Sequence, residues 1–236
     1  MAQGKRCAGK SRHHGARFAE SWPYIKKKTF RAQERDQEKQ RVKLQAFECE
    51  LETIPSEKRV YIDEAGSNLG MSRSHARSLR GERQYSKKPA SRGGNISMVG
   101  AVRLRKKFFV HPFDGPVDGE RFLEFLEKLC PTLSPGDVVI MDNCRIHHIE
   151  AVSKKLASVG ARALYLPPYS PELNPIEEVW ALIKGILKSL EPRNIVDYVT
   201  ALYYAAGRVT HEKIEGYFRH SDSFLSWKPE IGRAHV

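Results

Sequence analysis

The apolar run between Asp137 and Asp142 places the tightest constraint on the fold of this chain. Four consecutive apolar residues, VVIM, follow the turn residues Pro135 and Gly136 and end at an acid. A strand that is apolar on both faces is typical of the centre of a sheet covered by helices on both sides. We therefore expect a sheet with helices on its faces.

The other predicted elements follow a simple order. Three strands come first, over 58–63, 95–103 and 105–111, and the last two form a hairpin. Helix, strand, helix, strand and two further helices follow between Asp118 and Val209. This order predicts an α/β fold: a mixed sheet, made of a three-strand meander and then β-α units, flanked by helices. By analogy of element order, it is the ribonuclease-H-like fold.

Three helices are predicted from a capping residue or from an apolar face. Asp118 is expected to cap a helix with Phe122, Phe125, Leu126 and Leu129 on one face. A later helix, 194–209, is expected to bury Ile195, Val199, Leu202 and Ala206. A third helix is predicted upstream of the first strand, where an apolar stripe ends at Pro55: Leu44, Phe47, Leu51 and Ile54.

The stretch Leu164–Trp180, LYLPPYSPELNPIEEVW, leads from a strand into an amphipathic helix. Asn174 is a candidate N-cap and Pro175 a candidate first helical residue. Glu177 then lies in the first turn. Asn174-x-x-Glu177 fits a capping box, so Glu177 has two interpretations at this point: a helix cap or a functional carboxylate.

Two predicted strands end on acids, Asp63 and Asp142. Neighbouring strands would present both carboxylates at one edge of the sheet, where open α/β sheets bind ligands, and Glu177 could complete a cluster. Two unit charges ~4 Å apart repel by roughly 4 kcal/mol at an effective dielectric of about 20. Divalent cations relieve this repulsion, and carboxylate oxygens suit Mg²⁺ or Mn²⁺. Alternatively, Asp63 caps a turn and Asp142 is an isolated acid at a strand end.

Charge and cysteine usage limit the partners and the compartment. The chain has 40 Lys and Arg residues against 28 Asp and Glu, and its pI is about 9.6. This excess favours a nucleic acid as partner over a membrane. The four cysteines show neither zinc-site spacing nor a disulfide framework. Neither a membrane-spanning run nor a signal peptide is indicated, so we expect a cytoplasmic protein.

The long polar stretch 67–94 is a candidate DNA-binding loop, because structureless connections of this length are usually functional or disordered. Interspersed cations suit phosphate contact, although a solvated surface loop explains them nearly as well. The cations are Arg73, Arg77, Arg80, Arg83, Lys87, Lys88 and Arg92.

The acids lie in distinctive surroundings that resemble the DDE transposases of the Tc/mariner superfamily, and most closely its bacterial insertion-sequence branch. The resemblance is carried by three segments in order: YIDEAG at 61–66, VVIMDNCRIHH at 138–148 and LPPYSPELNPIEEVW at 166–180. The 34 residues between Asp142 and Glu177 match the family's last spacing. The likeness extends from about Lys27 to Phe224.

The resemblance implies a ribonuclease-H-like DDE endonuclease domain that uses two Mg²⁺ ions, with Mn²⁺ as a substitute. Asp63, Asp142 and Glu177 would be catalytic and would bind the metals, while Asn143 and His147 would support them. The enzyme would hydrolyse a phosphodiester at each transposon end, and the freed 3′-hydroxyl would attack target DNA. DNA is thus the implied partner, a homodimer the implied assembly, and the bacterial nucleoid the implied location. The loop 67–94 corresponds to a segment that reaches a partner subunit.

The chain departs from this family pattern at its ends. We expect 1–26 to be a basic arm, disordered or out of frame, that replaces the usual helix-turn-helix modules. A linker helix is expected over 27–56 and the catalytic domain over 57–225. The remaining residues, 226–236, would form a tail. Its last seven residues, EIGRAHV at 230–236, match the translation of a sequencing adapter, so we expect them to be artefactual.

Transposition is not the only function compatible with these features. A stand-alone nuclease of the same fold would keep the acids and have no partner element. A non-catalytic DNA-binding remnant would occupy transposon ends or dimerise with an active transposase.

Overall fold

The computed structural model describes residues 38–83, 85, 89 and 93–225 of the chain. Within them lie six α-helices and five β-strands. The strands are β1 (Arg59–Asn68), β2 (Asn95–Val102), β3 (Phe109–Asp114), β4 (Val138–Met141) and β5 (Arg162–Tyr165). The helices are α1 (Glu38–Glu52), α2 (Gly119–Leu129), α3 (Glu150–Ala157), α4 (Ile176–Leu190), α5 (Ile195–Gly207) and α6 (His211–Ser223).

The five strands form one mixed sheet in the order β3-β2-β1-β4-β5. The strands β1, β2 and β3 pair antiparallel as a meander, whereas β4 and β5 are parallel to β1. The parallel strands follow from the helical crossovers α2 and α3, which return the chain to the same end of the sheet. The predicted mixed sheet and its meander are confirmed.

Each face of the sheet carries its own apolar core. On one face, alternate residues of β1 such as Tyr61 and Ala65 pack with α1, α4, α5 and α6. On the other face, Val60 and Ile62 pack with α2 and α3. All four residues of β4 are buried, as predicted for a central strand. The two helical layers therefore enclose the sheet.

The first strand is longer than its sequence pattern predicts. It continues past Asp63 to Asn68, because β2 pairs with it over most of its length, including Asp63 with Gly100 and Asn68 with Asn95. The expectation that the first strand ends at Asp63 is wrong, and the polar loop begins after Asn68 rather than at Ser67.

The start of α4 also differs from the prediction. The helix begins at Ile176 and Pro175 occupies the N-cap position, with no side-chain cap. The side-chain oxygen of Asn174 is buried without a hydrogen-bond partner, so the predicted capping box does not form. A 3₁₀ turn at 171–173 orients this segment, and the backbone carbonyl of Asn174 accepts from the N–H of Glu177 instead.

The C-terminal helices differ from the predicted pattern in two respects. The helix α5 begins at Ile195, one residue after the expected start, with Asn194 as its cap, and Ile195 is exposed rather than buried. Its buried residues are Tyr198, Ala201, Leu202 and Ala205. The helix α6 was not predicted, because it buries only Ile214, Phe218 and Ser221 and its pattern is correspondingly weak.

Two ion pairs, each with one buried partner, connect the elements around the sheet. Arg59 donates to the carbonyls of Leu51 and Ile54 and to Asp222 Oδ1, and so joins β1 to α1 and α6. At the same end of the sheet, where Arg59 pairs with Val138, the fully buried carboxylate of Asp137 accepts from both terminal nitrogens of Arg103. Buried carboxylates of this kind depend on paired donors.

Three cysteines are free: Cys49, Cys130 and Cys144, whereas Cys7 lies outside the described residues. Among the described helices, none is long and apolar enough to cross a membrane. The predicted arm 1–26 and the predicted tail 226–236 fall outside the described residues. The same is true of 27–37, the first part of the expected linker helix.

Candidate active site

The register of two parallel strands places Asp63 and Asp142 at the same level of the sheet. Tyr61 of β1 pairs with Ile140 of β4, and the two aspartates follow two positions later on each chain segment. Because side chains alternate along a strand, Asp63 lies on the face covered by α4, together with Tyr61. Glu64 lies on the opposite face.

The carboxylate of Asp63 is held by α4 and surrounded by negative charge. The indole Nε1–H of Trp180 donates to Asp63 Oδ2 over 3.1 Å. Burial raises the pKa of Asp63, and the charges of Glu177, Glu64 and Asp142 raise it further, to about 7. Glu177, Glu64 and Asp142 thus act electrostatically on Asp63, and we call these four residues the acid cluster.

Asp142 and Glu64 are joined by a histidine between them. The ring of His147 is fully buried; its Nδ1 lies 2.8 Å from Asp142 Oδ1 and its Nε2 lies 2.8 Å from Glu64 Oε1. Burial alone would lower the pKa of His147, but its hydrogen bonds to the two carboxylates outweigh this and raise the pKa to about 10. The hydrogen bond from His147 in turn lowers the pKa of Asp142. His147 is therefore a buried imidazolium that donates to both acids.

The position of His147 is set by its own neighbours. Its ring packs against Phe122 of α2, with ring centroids 4.4 Å apart. Its backbone carbonyl accepts a hydrogen bond from the hydroxyl of Tyr165 at the end of β5. The sequence indicated His147 as a supporting residue, and the structure places it in contact with Asp142. Asn143 points elsewhere: it is exposed, and its Oδ1 contacts His148 Nε2.

Among the described residues, one group of side chains has the spacing to hold a metal ion. Glu64, Asp142 and His147 have ligand atoms within 4.8 Å of one another. The ring nitrogens of His147 both face carboxylates and its raised pKa keeps them protonated, so this residue does not offer a free lone pair. A hard cation prefers carboxylate oxygens, and those of Glu64 and Asp142 are the donors that this group offers.

Two residues of this site were not predicted as functional from the sequence. Glu64 follows Asp63 directly, but its role depends on His147, which lies 83 positions away. Trp180 was named only as the last residue of the stretch that leads into α4, although it also donates to Asp63 across 117 positions. A buried indole usually requires a partner for its N–H, and this was the only available signal.

The described cations of the predicted DNA-binding loop are exposed. Arg73, Arg77, Arg80 and Arg83 all lie on the surface, while Lys87, Lys88 and Arg92 fall outside the described residues. A cavity of about 520 Å³ separates the start of this loop from α4; Arg73 and His75 line one side, and Lys188 lies on the other.

The base of the loop is fixed to the rest of the fold. Arg193 donates to the carbonyls of Leu69 and Met71 and to the hydroxyl of Ser72. Gly93, at φ +67°, closes the other end, where a Cβ would lie 2.9 Å from the Cβ of Leu69. The loop therefore projects from a defined base.

A comparison with protein-family models identifies the fold around these acids. Residues 58–197 match the model of the DDE superfamily endonuclease family. This segment contains all the acids of the cluster and all five strands.

The chain belongs to the DDE superfamily of endonucleases.

Solved structures agree with this family assignment at the level of the fold. The Mos1 mariner paired-end complex with Mg has a TM-score of 0.65 and 14% sequence identity, covering 87% of this chain and 67% of that chain. The catalytic domain of Mos1 mariner transposase has a TM-score of 0.56 and 12% identity, covering 86% and 93%. The predicted ribonuclease-H-like class is confirmed.

This DDE endonuclease chain spans only part of some structural relatives. In the Mos1 strand transfer complex, with a TM-score of 0.63 and 15% identity, the match covers 88% of this chain but 64% of that one. A comparison with curated proteins gives no significant match.

Proposed function

We propose that this chain is the catalytic part of a DNA transposase, which hydrolyses a phosphodiester at transposon ends and joins the freed 3′-hydroxyl to target DNA. The acid cluster carries the proposal. Asp63 has its pKa raised to about 7 because it is largely buried and three other carboxylates lie around it. Such a cluster is unfavourable for folding and is typical of sites that bind cations.

The donor set fits Mg²⁺, with Mn²⁺ as a substitute. Asp63, Asp142 and Glu177 would hold two ions through carboxylate oxygens, the ligands that both cations prefer. When bound, a pair of divalent ions activates the attacking oxygen and stabilises the leaving oxygen of a phosphodiester.

The residues of the chain itself would orient this site. Trp180 holds one oxygen of Asp63, while His147 holds Asp142 and Glu64 from the opposite face of β1. Because Asp142 and Glu177 are both exposed, the cluster is open to a large substrate such as DNA. The imidazolium of His147 also offsets part of the negative charge that would otherwise repel phosphate.

DNA is the proposed partner and a homodimer the proposed assembly on it. The net charge of +12 supports a polyanionic partner, and the exposed arginines at 73, 77, 80 and 83 are the proposed phosphate contacts. The resemblance to insertion-sequence transposases supports a bacterial, nucleoid-associated location. Two of the similar Mos1 structures are a paired-end complex and a strand transfer complex.

Cleavage of defined duplexes tests the proposal. The chain should cleave a duplex bearing the inverted repeat that flanks its own coding region, in the presence of Mg²⁺ but not EDTA. Asp142→Asn and Glu177→Gln should abolish cleavage because they remove ligands of the cations without changing side-chain size. Asp114→Asn, which alters an exposed acid outside the cluster, is the matched control.

Each alternative function gives a different result in the same assay. Equal cleavage of branched duplexes that lack the repeat would favour a structure-selective nuclease. Binding of the repeat without cleavage by the unmutated chain would favour the DNA-binding remnant and refute catalysis.

A further inference from the structure

The side chain of Trp180 combines a packing role with a polar contact in the site. It is only 2% exposed and forms part of the apolar face of α4. Its Nε1–H nevertheless points at Asp63 Oδ2, 3.1 Å away. An indole nitrogen can only donate, so this contact favours the ionised carboxylate and restricts its rotation.

Trp180 and Glu177 share one side of α4. Residues three positions apart on a helix are surface neighbours, so the rotation that buries the indole also sets the direction of Glu177. The negative charge of Glu177 acts on Asp63, which is consistent with this arrangement. The hydrogen bond from Trp180 to Asp63 therefore helps to fix the rotation of α4 about its axis relative to β1.

A glycine makes room for the indole. Gly100 of β2 is the cross-strand partner of Asp63, and a side chain there would project from the same face of the sheet. A Cβ at this position would lie 2.7 Å from Trp180 Cη2 and 2.7 Å from Phe108 Cζ. Phe108 packs edge-on against the indole, with ring centroids 5.4 Å apart. The indole thus fills the space that Gly100 leaves above the sheet.

We propose that Trp180 is a positioning residue for metal binding: its indole N–H holds one oxygen of Asp63 so that the other faces the cation, and Gly100 provides the space that this requires. The inference rests on the proposed metal-dependent function. In this proposal both residues act through Asp63. Partners that orient a metal ligand typically contribute 10–100-fold to metal affinity.

The hydrogen bond can be observed directly by NMR without measuring cleavage. The chain has three tryptophans, so the Trp22→Phe/Trp227→Phe background leaves Trp180 as the one indole. Its ¹H–¹⁵N resonance should move in the metal-free protein when Asp63→Ala removes the acceptor. It should also move in a saturable way on titration with Mg²⁺.

Two substitutions test the effect on the metal. Trp180→Phe retains an aromatic ring but removes the donor, and should weaken Mg²⁺ binding in calorimetry by about tenfold or more. Cleavage should recover at raised Mg²⁺ concentration. Gly100→Ala keeps the indole but displaces it, and should give the same loss together with a shifted indole resonance.

Phe108→Leu is the matched control, because it disturbs the same aromatic cluster without removing the donor to Asp63. It should leave Mg²⁺ affinity unchanged even where it lowers the melting temperature. The inference is overturned if Trp180→Phe binds Mg²⁺ as tightly as the unmutated chain, or if Phe108→Leu causes an equal loss.

The two proposals fail in distinguishable ways. If the unmutated chain cleaves DNA but the indole resonance responds neither to Asp63→Ala nor to Mg²⁺, the positioning role alone is overturned. If the indole resonance responds to the Asp63 substitution and to Mg²⁺, and the chain binds Mg²⁺ but never cleaves DNA, the positioning role is supported. The proposed function is then contradicted.

Discussion

Asp63→Asn should stabilise the metal-free protein at neutral and alkaline pH. The wild-type carboxylate is ionised there at a cost, because burial and the charges of Glu177, Glu64 and Asp142 oppose ionisation and raise its pKa to about 7. Asparagine has nearly the same shape and its side-chain oxygen can still accept from Trp180. The substitution therefore removes the repulsion while keeping the packing.

The size and pH range of the effect follow from the pKa of Asp63. Its value rises from 3.8 to about 7 on folding, so the folded state binds the proton more tightly than the unfolded state. This contribution to stability is present below about pH 4 and is lost as the pH rises towards 7. Roughly three pKa units at ~1.36 kcal/mol each set a ceiling of about 4 kcal/mol. We expect about 2 kcal/mol, because solvent screens the exposed acids.

Urea unfolding in EDTA at a series of pH values measures the difference between variant and wild type. The variant should gain nothing at pH 4 and about 2 kcal/mol at pH 8. Saturating Mg²⁺ should shrink the gain or reverse its sign, since only the wild type keeps the full set of ligands. Asp114→Asn should show no such pH-dependent gain. A variant that is less stable than wild type at pH 8 in EDTA would refute the electrostatic reasoning.

Three further predictions concern the scaffold and the loop. Arg59→Met leaves Asp222 and the carbonyls of Leu51 and Ile54 without their donor. The free energy of unfolding, measured by urea titration, should therefore fall by about 3 kcal/mol. A change within experimental error would contradict the role of these contacts. Asp118→Ala removes the cap that accepts from the N–H of Arg121 and should cost about 1 kcal/mol, with Asp118→Asn as the near-neutral control. Alanine at the four exposed loop arginines should weaken the salt dependence of binding to duplex DNA. The slope of log affinity against log salt concentration should fall in magnitude by about 0.9 for each lost phosphate contact. An unchanged slope would show that the loop is not part of the DNA interface. The arginines are Arg73, Arg77, Arg80 and Arg83.

Local patterns predicted those parts of the fold that are fixed by short stretches of sequence. The apolar run of β4 indicated a central strand, and Asp118 indicated the start of α2, since both signals lie within a few residues. The true length of β1 could not be predicted in this way. Its second half is polar and owes its strand conformation to pairing with β2.

The acids of the site were predicted from the ends of elements, whereas the contacts between them were not. Asp63, Asp142 and Glu177 were predicted from expected strand ends, a helix start and their surrounding segments, although β1 continues past Asp63. The hydrogen bonds of Trp180 and of His147 depend on helix docking across long separations, so no local pattern encodes them. Asn174 illustrates the converse: its sequence suggests a cap, but the preceding 3₁₀ turn directs its side chain away from that role.

The adjacent acids Asp63 and Glu64 face opposite sides of the sheet and are held by different helical layers. Detaching α4 would release Trp180 and Glu177, whereas detaching α2 would release the packing of Phe122 on His147. A partly folded chain therefore contains no complete acid cluster, whichever layer is lost first. The proposed nuclease activity is consequently tied to the cooperative folded state, and we expect a chain that has lost either layer to lack it.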